Sequence, residues 1–209
     1  MLLTPREDKI RDNELASAYE YMSNHRVLFL YSVLLGYPMR QDTFSVSSVA
    51  DTLVAMNMQS HDPIWMVIQS PGGGVEDGLM LIDTMQSIES PVYTLGRSAA
   101  SMATVVLAAG EPGHRYLLPH GKTMLHLVSG EMGGDIKDMK IAAEFGARLQ
   151  TTLIDLLLSC GVKKSREQLE EDIERDFWLF GQEVIDYGLV DSFFQPSLFP
   201  TDVGKKEKK

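Results

Sequence analysis

Ser101, His126 and Asp176 could supply a nucleophile, a base and an orienting acid, and the run Ser70-Pro71-Gly72-Gly73-Gly74 could supply main-chain donors. A serine hydroxyl becomes a useful nucleophile only when a neighbouring base takes its proton and a third group orients that base. The three glycines leave little side-chain bulk, so their N–H groups are open to an oxyanion or a phosphate. Each residue also has a plainer reading. Ser101 lies at a strand-to-helix junction in Gly96-Arg-Ser-Ala-Ala-Ser-Met-Ala103, where a hydroxyl reads first as a helix cap. His126 ends an apolar strand after Met124-Leu125 and reads as a hydrogen-bonded core residue, Asp176 as a surface charge or cap, and the glycine run as a tight turn. The glycines match neither Gly-x-Gly-x-x-Gly nor the lysine-bearing phosphate loop, and Ser101 is not in a Gly-x-Ser-x-Gly elbow. Residue chemistry permits a Ser–His–Asp triad without demonstrating it. His25, His61, His114 and His120 have no metal-ligand spacing, so neither a metal nor another cofactor is expected.

The elements that must position these residues alternate between strand and helix. Val27–Tyr31 and Ile64–Ile68 are short apolar runs typical of buried strands. Pro91–Leu95 is a third, and Arg115–Leu118 and Lys122–His126 are two more on either side of Pro119. Helical spacing is present at Leu15–Met22, at Val49–Met58, and through Leu79, Ile82, Met85 and Ile88. Ser101–Ala109 reads as a small-residue helix and Asp42–Ser48 as a loop. This alternation predicts an α/β fold with a largely parallel sheet.

A Gly-rich connection, Gly130–Gly134, leads into a long helix over about Ile136–Leu158. Its apolar residues, among them Ile136, Met139, Ile141, Phe145, Leu149 and Leu153, exceed one narrow stripe, so more than one side must be buried. A central core helix and a helix covered by another subunit both satisfy that pattern. The organisation expected is an N-terminal segment (1–26), one domain (27–194) with this helical region at about 127–160, and a tail (195–209) disordered at its end.

With 209 residues, 44% hydrophobic and 23% charged, the chain has the size and balance of one globular domain. Its net charge of −10 argues against nucleic acid as a partner, and the basic Lys205–Lys209 end reads as solvated chain. No uncharged stretch is long enough for a membrane span, and the N-terminus does not read as a secretory signal. The single Cys160 excludes an intrachain disulfide and fits a reducing cytoplasm.

Five segments together resemble the proteolytic subunit of the Clp protease, a serine peptidase family. They are Ser70–Gly73, Ala99–Met102, Thr123–His126, Arg175–Phe177 and Tyr187–Asp191, in the family's order and spacing, within a likeness that runs from about Val27 to Asp191. The resemblance implies a crotonase-like α/β spiral of βαβ units with a long helical handle. It makes Ser101 the nucleophile, His126 the general base and Asp176 its orienting acid, with Gly73 and Met102 N–H groups as the oxyanion hole. Gly72, Gly130, Gly133 and Gly134 would lie against an unfolded polypeptide bound as an added strand. The assembly implied is a homo-oligomer of two stacked heptameric rings, or a mixed ring with a paralogue, fed by an AAA+ unfoldase that consumes the ATP.

Several positions depart from the family's usual pattern. Arg97 stands four residues before the serine where glycine is usual, Ala103 replaces a glycine, and Leu127-Val128 replaces Gln-Pro. The likeness to the family is also loose over Tyr31–Ser60. These changes keep two other functions open. One is a non-catalytic ring subunit paired with an active paralogue; the other is a crotonase-type acyl-CoA enzyme that uses the glycine-lined hole without the triad.

Overall fold

The computed structural model describes residues 20–31, 33–34, 45–130 and 133–198. Most of the expected Leu15–Met22 helix, most of Tyr31–Phe44 and the basic tail lie outside those residues. The elements are β1 (Val27–Tyr31), α1 (Val46–Gln59), β2 (Ile64–Ser70), α2 (Val75–Ser87), β3 (Val92–Ala100) and α3 (Met102–Ala108). They continue as β4 (Arg115–Leu125), α4 (Ile136–Ser159), α5 (Arg166–Asp172), β5 (Phe177–Phe180), α6 (Gln182–Tyr187) and β6 (Ser192–Phe193). β1 to β4 pair in sequence order and in parallel. The outer edge of β4 is shared, with β6 parallel beside Tyr116–Leu117 and β5 antiparallel beside Lys122–Leu125.

Both faces of this sheet are covered, which is why β2 reads as an unbroken apolar run rather than an alternation. Ile64, Met66 and Ile68 join the main core with Leu53, Leu81, Leu107 and Leu117, while Trp65 and Val67 face a smaller cluster with Val27, Leu95 and Tyr116. The loop expected at Asp42–Ser48 ends earlier than its polarity suggests. Ser45 accepts a hydrogen bond from the Ser48 N–H and starts α1 at Val46.

Two strands were expected around Pro119, but Arg115–Leu125 forms a single strand. Its pairing with β3 jumps from Gly96↔Leu117 to Ser98↔Lys122, so β4 carries an excursion at Leu118–Gly121. Pro119 has no N–H to give the ladder, and the exposed excursion accommodates it. β3 likewise outruns its expected end at Leu95 and continues to Ala100, because the small residues Ser98, Ala99 and Ala100 pair with Lys122–Met124.

α4 divides along its length. Leu153, Ile154 and Leu157 are buried against the body, whereas Ile136, Met139, Ile141 and Phe145 are exposed. A single copy of the chain therefore buries only the second half of this helix. No helix among the described residues is long and apolar enough to cross a membrane.

One cation ties the far ends of three helices together. The Arg115 guanidinium pairs with Asp191 through two nitrogens, at 3.0 and 2.6 Å, and also donates to the carbonyls of Ala108, Cys160 and Gly188. These carbonyls close α3, α4 and α6, where helices leave acceptors unsatisfied and favour positive charge. Burial pushes the Asp191 carboxyl up, but its hydrogen bonds to Arg115 outweigh this and hold it below the ordinary carboxylate range. The resulting stabilisation is present above that range and is lost as pH falls towards the lowered folded value. Arg115→Ala is expected to cost about 3 kcal/mol, the lower end for breaking a buried pair, since Asp191 keeps some solvent. Calorimetry should record a melting temperature lower by roughly 6–12 °C and a weaker loss of stability on acidification. An unchanged melt would show that this tie contributes nothing.

Candidate active site

Ser101 occupies the sharp turn between β3 and α3 and is one of two described non-glycine residues with positive φ. Its φ of 55° and ψ of −131° are strained for a residue with a Cβ. A serine here would ordinarily cap α3, yet its side chain makes no capping hydrogen bond. Instead Ser101 Oγ lies 2.8 Å from His126 Nε2. The hydroxyl thus faces the imidazole rather than the first N–H groups of α3.

The sheet sets this distance. Ala100 pairs with Met124, and the Ser101 N–H donates to the Met124 carbonyl at 2.8 Å. The Thr104 hydroxyl sits within hydrogen-bond reach of the same carbonyl and of that of Ala99, tying α3 to both strands. His126 follows one residue after β4 ends and so emerges beside the serine.

The glycine loop closes the opposite side. A Cβ on Gly72 would come within 2.7 Å of the Ser101 Cβ, and one on Gly73 within 2.3 Å of the Leu34 carbonyl oxygen. Both glycines also have left-handed φ, 95° and 155°. Leu34 clamps the loop by donating to the Gly72 carbonyl and accepting from the Gly74 N–H, each at 2.8 Å. In this parallel bridge the N–H of Gly73 itself points away from Leu34. Met102 is the first residue of α3, so its N–H has no partner within the helix. Gly73, Ser101, Met102 and His126 line a common cavity.

Asp176 is exposed, and among the described residues no hydrogen bond joins it to His126. The two are nevertheless neighbours across the sheet, since Leu125 pairs with Phe177 in the antiparallel β4–β5 ladder. Gly130 and Gly133 stand in open surroundings, whereas Gly134, at φ 105°, packs on the Asp138 side chain at the start of α4. Arg97 falls at the β3 register shift; its exposed guanidinium donates to Tyr31 Oη at 2.9 Å and does not line the cavity. Ala103 is buried in α3, and Leu127 forms part of the cavity wall while remaining half exposed. A larger cavity of about 530 Å³, between the end of α2 and Cys160, contains none of these residues.

Two residues at the site lie outside the motifs of the sequence. Leu34 clamps the glycine loop with its backbone, which no side-chain pattern signals. Gln150, on α4, accepts a 2.6 Å hydrogen bond from the Val128 N–H and reaches the same cavity. Its sequence signal is faint: one amide among the leucines of a long helix.

The sequence profile of the Clp protease family matches residues 11–197. The chain belongs to the Clp protease family. It is 39% identical over 175 residues to ATP-dependent Clp protease proteolytic subunit 1 of Salinibacter ruber, covering 83% of this chain and 73% of that protein. It is 34% identical to the ATP-dependent Clp protease proteolytic subunit of Streptococcus sanguinis, covering 75% and 81% of the two chains. A third relative, from Streptococcus agalactiae and bearing the same description, is 35% identical over 74% of this chain and 80% of its own. This member of the Clp protease family is a peptidase subunit, a serine-type endopeptidase. Its mixed α/β architecture fits that family.

Proposed function

We propose that Ser101, His126 and Asp176 act as nucleophile, general base and orienting acid, with the Gly73 and Met102 N–H groups receiving the oxyanion. The observation that carries this reading is the 2.8 Å separation of Ser101 Oγ and His126 Nε2. Ser101 Oγ attacks a peptide carbonyl as His126 Nε2 takes its proton, giving a tetrahedral oxyanion. His126 returns the proton to the leaving amine, an acyl-serine remains, and water repeats the cycle to free the enzyme. Donors already in place where the negative charge develops are worth ~10²–10³ in rate each. These steps call on side chains and main-chain amides, so the subunit is proposed to need no cofactor of its own. Asp176 enters the reading through a side-chain rotation towards His126 Nδ1, which its place immediately before β5, next to the Leu125–Phe177 pair, supports.

The subunit is further proposed to work in the cytoplasm as two stacked seven-membered rings of identical chains. An AAA+ unfoldase would deliver unfolded polypeptide to them. The exposed apolar half of α4 supports burial between subunits. The backbone around Gly72 and the open stretch at Gly130 and Gly133 would grip substrate as an added strand, with Gly134 setting the turn into α4. The test is to treat the full-length protein with a fluorophosphonate and locate the adduct by mass spectrometry, alongside native mass measurement of the assembly. The adduct is expected on Ser101 alone, in particles of fourteen copies. Labelling elsewhere, or none, overturns the nucleophile assignment, and a different particle mass overturns the stoichiometry.

A further inference from the structure

The carboxamide of Gln150 has only one orientation compatible with its contacts. The Val128 N–H can only donate, so Gln150 must present Oε1 to it, at 2.6 Å, and the Nε2 group is directed away. Among the described residues that amide nitrogen has no partner, although Gln150 is half-buried and lines the cavity beside Ser101 and His126. Val105, Leu125, Leu153 and Leu157 form an apolar wall of the same cavity, whose other hydrogen-bonding side chains are Ser101, His126 and Ser129. A donor held in apolar surroundings gains from an acceptor and is costly to leave unpaired once water is expelled.

The bound substrate supplies that acceptor. On the proposed mechanism the carbonyl under attack would lie against Ser101 with its oxygen towards the Gly73 and Met102 N–H groups. The side chain on the amino-terminal side of the scissile bond, the P1 side chain, is one carbon from that carbonyl and is carried into the adjoining cavity. We propose that Gln150 is a specificity-determining residue whose Nε2 group selects P1 side chains carrying an uncharged acceptor, glutamine above all, over apolar side chains of the same length such as methionine. This rests on the reading of Ser101 as nucleophile. Gln150 does not take part in bond making; it holds the Val128 segment with one atom and reads substrate with the other.

The experiment compares kcat/KM for two fluorogenic peptides that differ only in glutamine or methionine at P1, using the full-length assembled protein. The ratio of the two rates cancels any change in the fraction of active enzyme. Gln150→Leu removes the donor and is expected to lower the glutamine-to-methionine ratio about tenfold. Gln150→Glu keeps an acceptor for the Val128 N–H but offers no donor. It should lower the ratio also and raise cleavage of a third peptide with lysine at P1. If Ser101→Ala abolishes cleavage but both Gln150 variants, with Ser101 intact, keep the parent ratio, the role of Gln150 alone is overturned. Cleavage that survives Ser101→Ala at full rate overturns the nucleophile assignment, and this inference with it.

Discussion

Ser101→Ala and His126→Ala should each lower kcat for peptide hydrolysis by about 10⁶-fold, and the double variant should be no slower than either single one. The reason is that the 2.8 Å hydrogen bond makes the two residues a unit. Without the imidazole the hydroxyl keeps its proton; without the hydroxyl the imidazole has nothing to activate. The remaining rate over water would come from the Gly73 and Met102 N–H groups and from substrate binding. Single-turnover rates on one peptide, measured for all four proteins, give the comparison. Losses that multiply in the double variant would mean that the residues act separately, contrary to the acyl-enzyme scheme.

Asp176→Asn is the second large effect, with kcat expected to fall by up to ~10⁴-fold. An asparagine can hold the imidazole but cannot balance the positive charge that His126 acquires as it takes the proton. The exposed Asp176 carboxylate makes no hydrogen bond to His126 in the structure, so the variant is also a direct test of whether it turns inward during turnover. A rate within a few-fold of the parent would remove Asp176 from the catalytic set and leave a Ser–His pair. The melting temperature should scarcely move, because the exposed side chain has no hydrogen bond to lose among the described residues.

Much of this was legible in the residues, for reasons particular to each element. Ile64–Ile68 could be read as a strand because burial on both sheet faces keeps the run apolar. The position of His126 at a strand end was equally plain. Its contact with Ser101 was not, because the registers of β3 and β4 and the main-chain bond from Ser101 to Met124 set that distance. Local reading favoured a helix cap at Ser101; the family likeness alone pointed to a nucleophile. The excursion at Leu118–Gly121 was hidden because a proline in a strand pattern looks like an end, and only pairing on both sides shows the strand resuming. Arg97 stands where the family's usual pattern has glycine, but at the register shift of β3 its guanidinium meets Tyr31 instead of the cavity. Leu34 and Gln150 act through a backbone and an amide brought close by the fold, and neither leaves a local pattern.

The backbone of Ser101 has one more implication. At φ 55° and ψ −131° a glycine would rest more easily than any residue bearing a Cβ, by on the order of 1–3 kcal/mol. Ser101→Gly would thus yield a sturdier protein that has lost its chemistry, whereas Ser101→Ala would remain under the same tension. Fold robustness and turnover pull this one position in opposite directions, so a lineage relieved of the need to cut peptides would meet no resistance from folding when it discarded the hydroxyl.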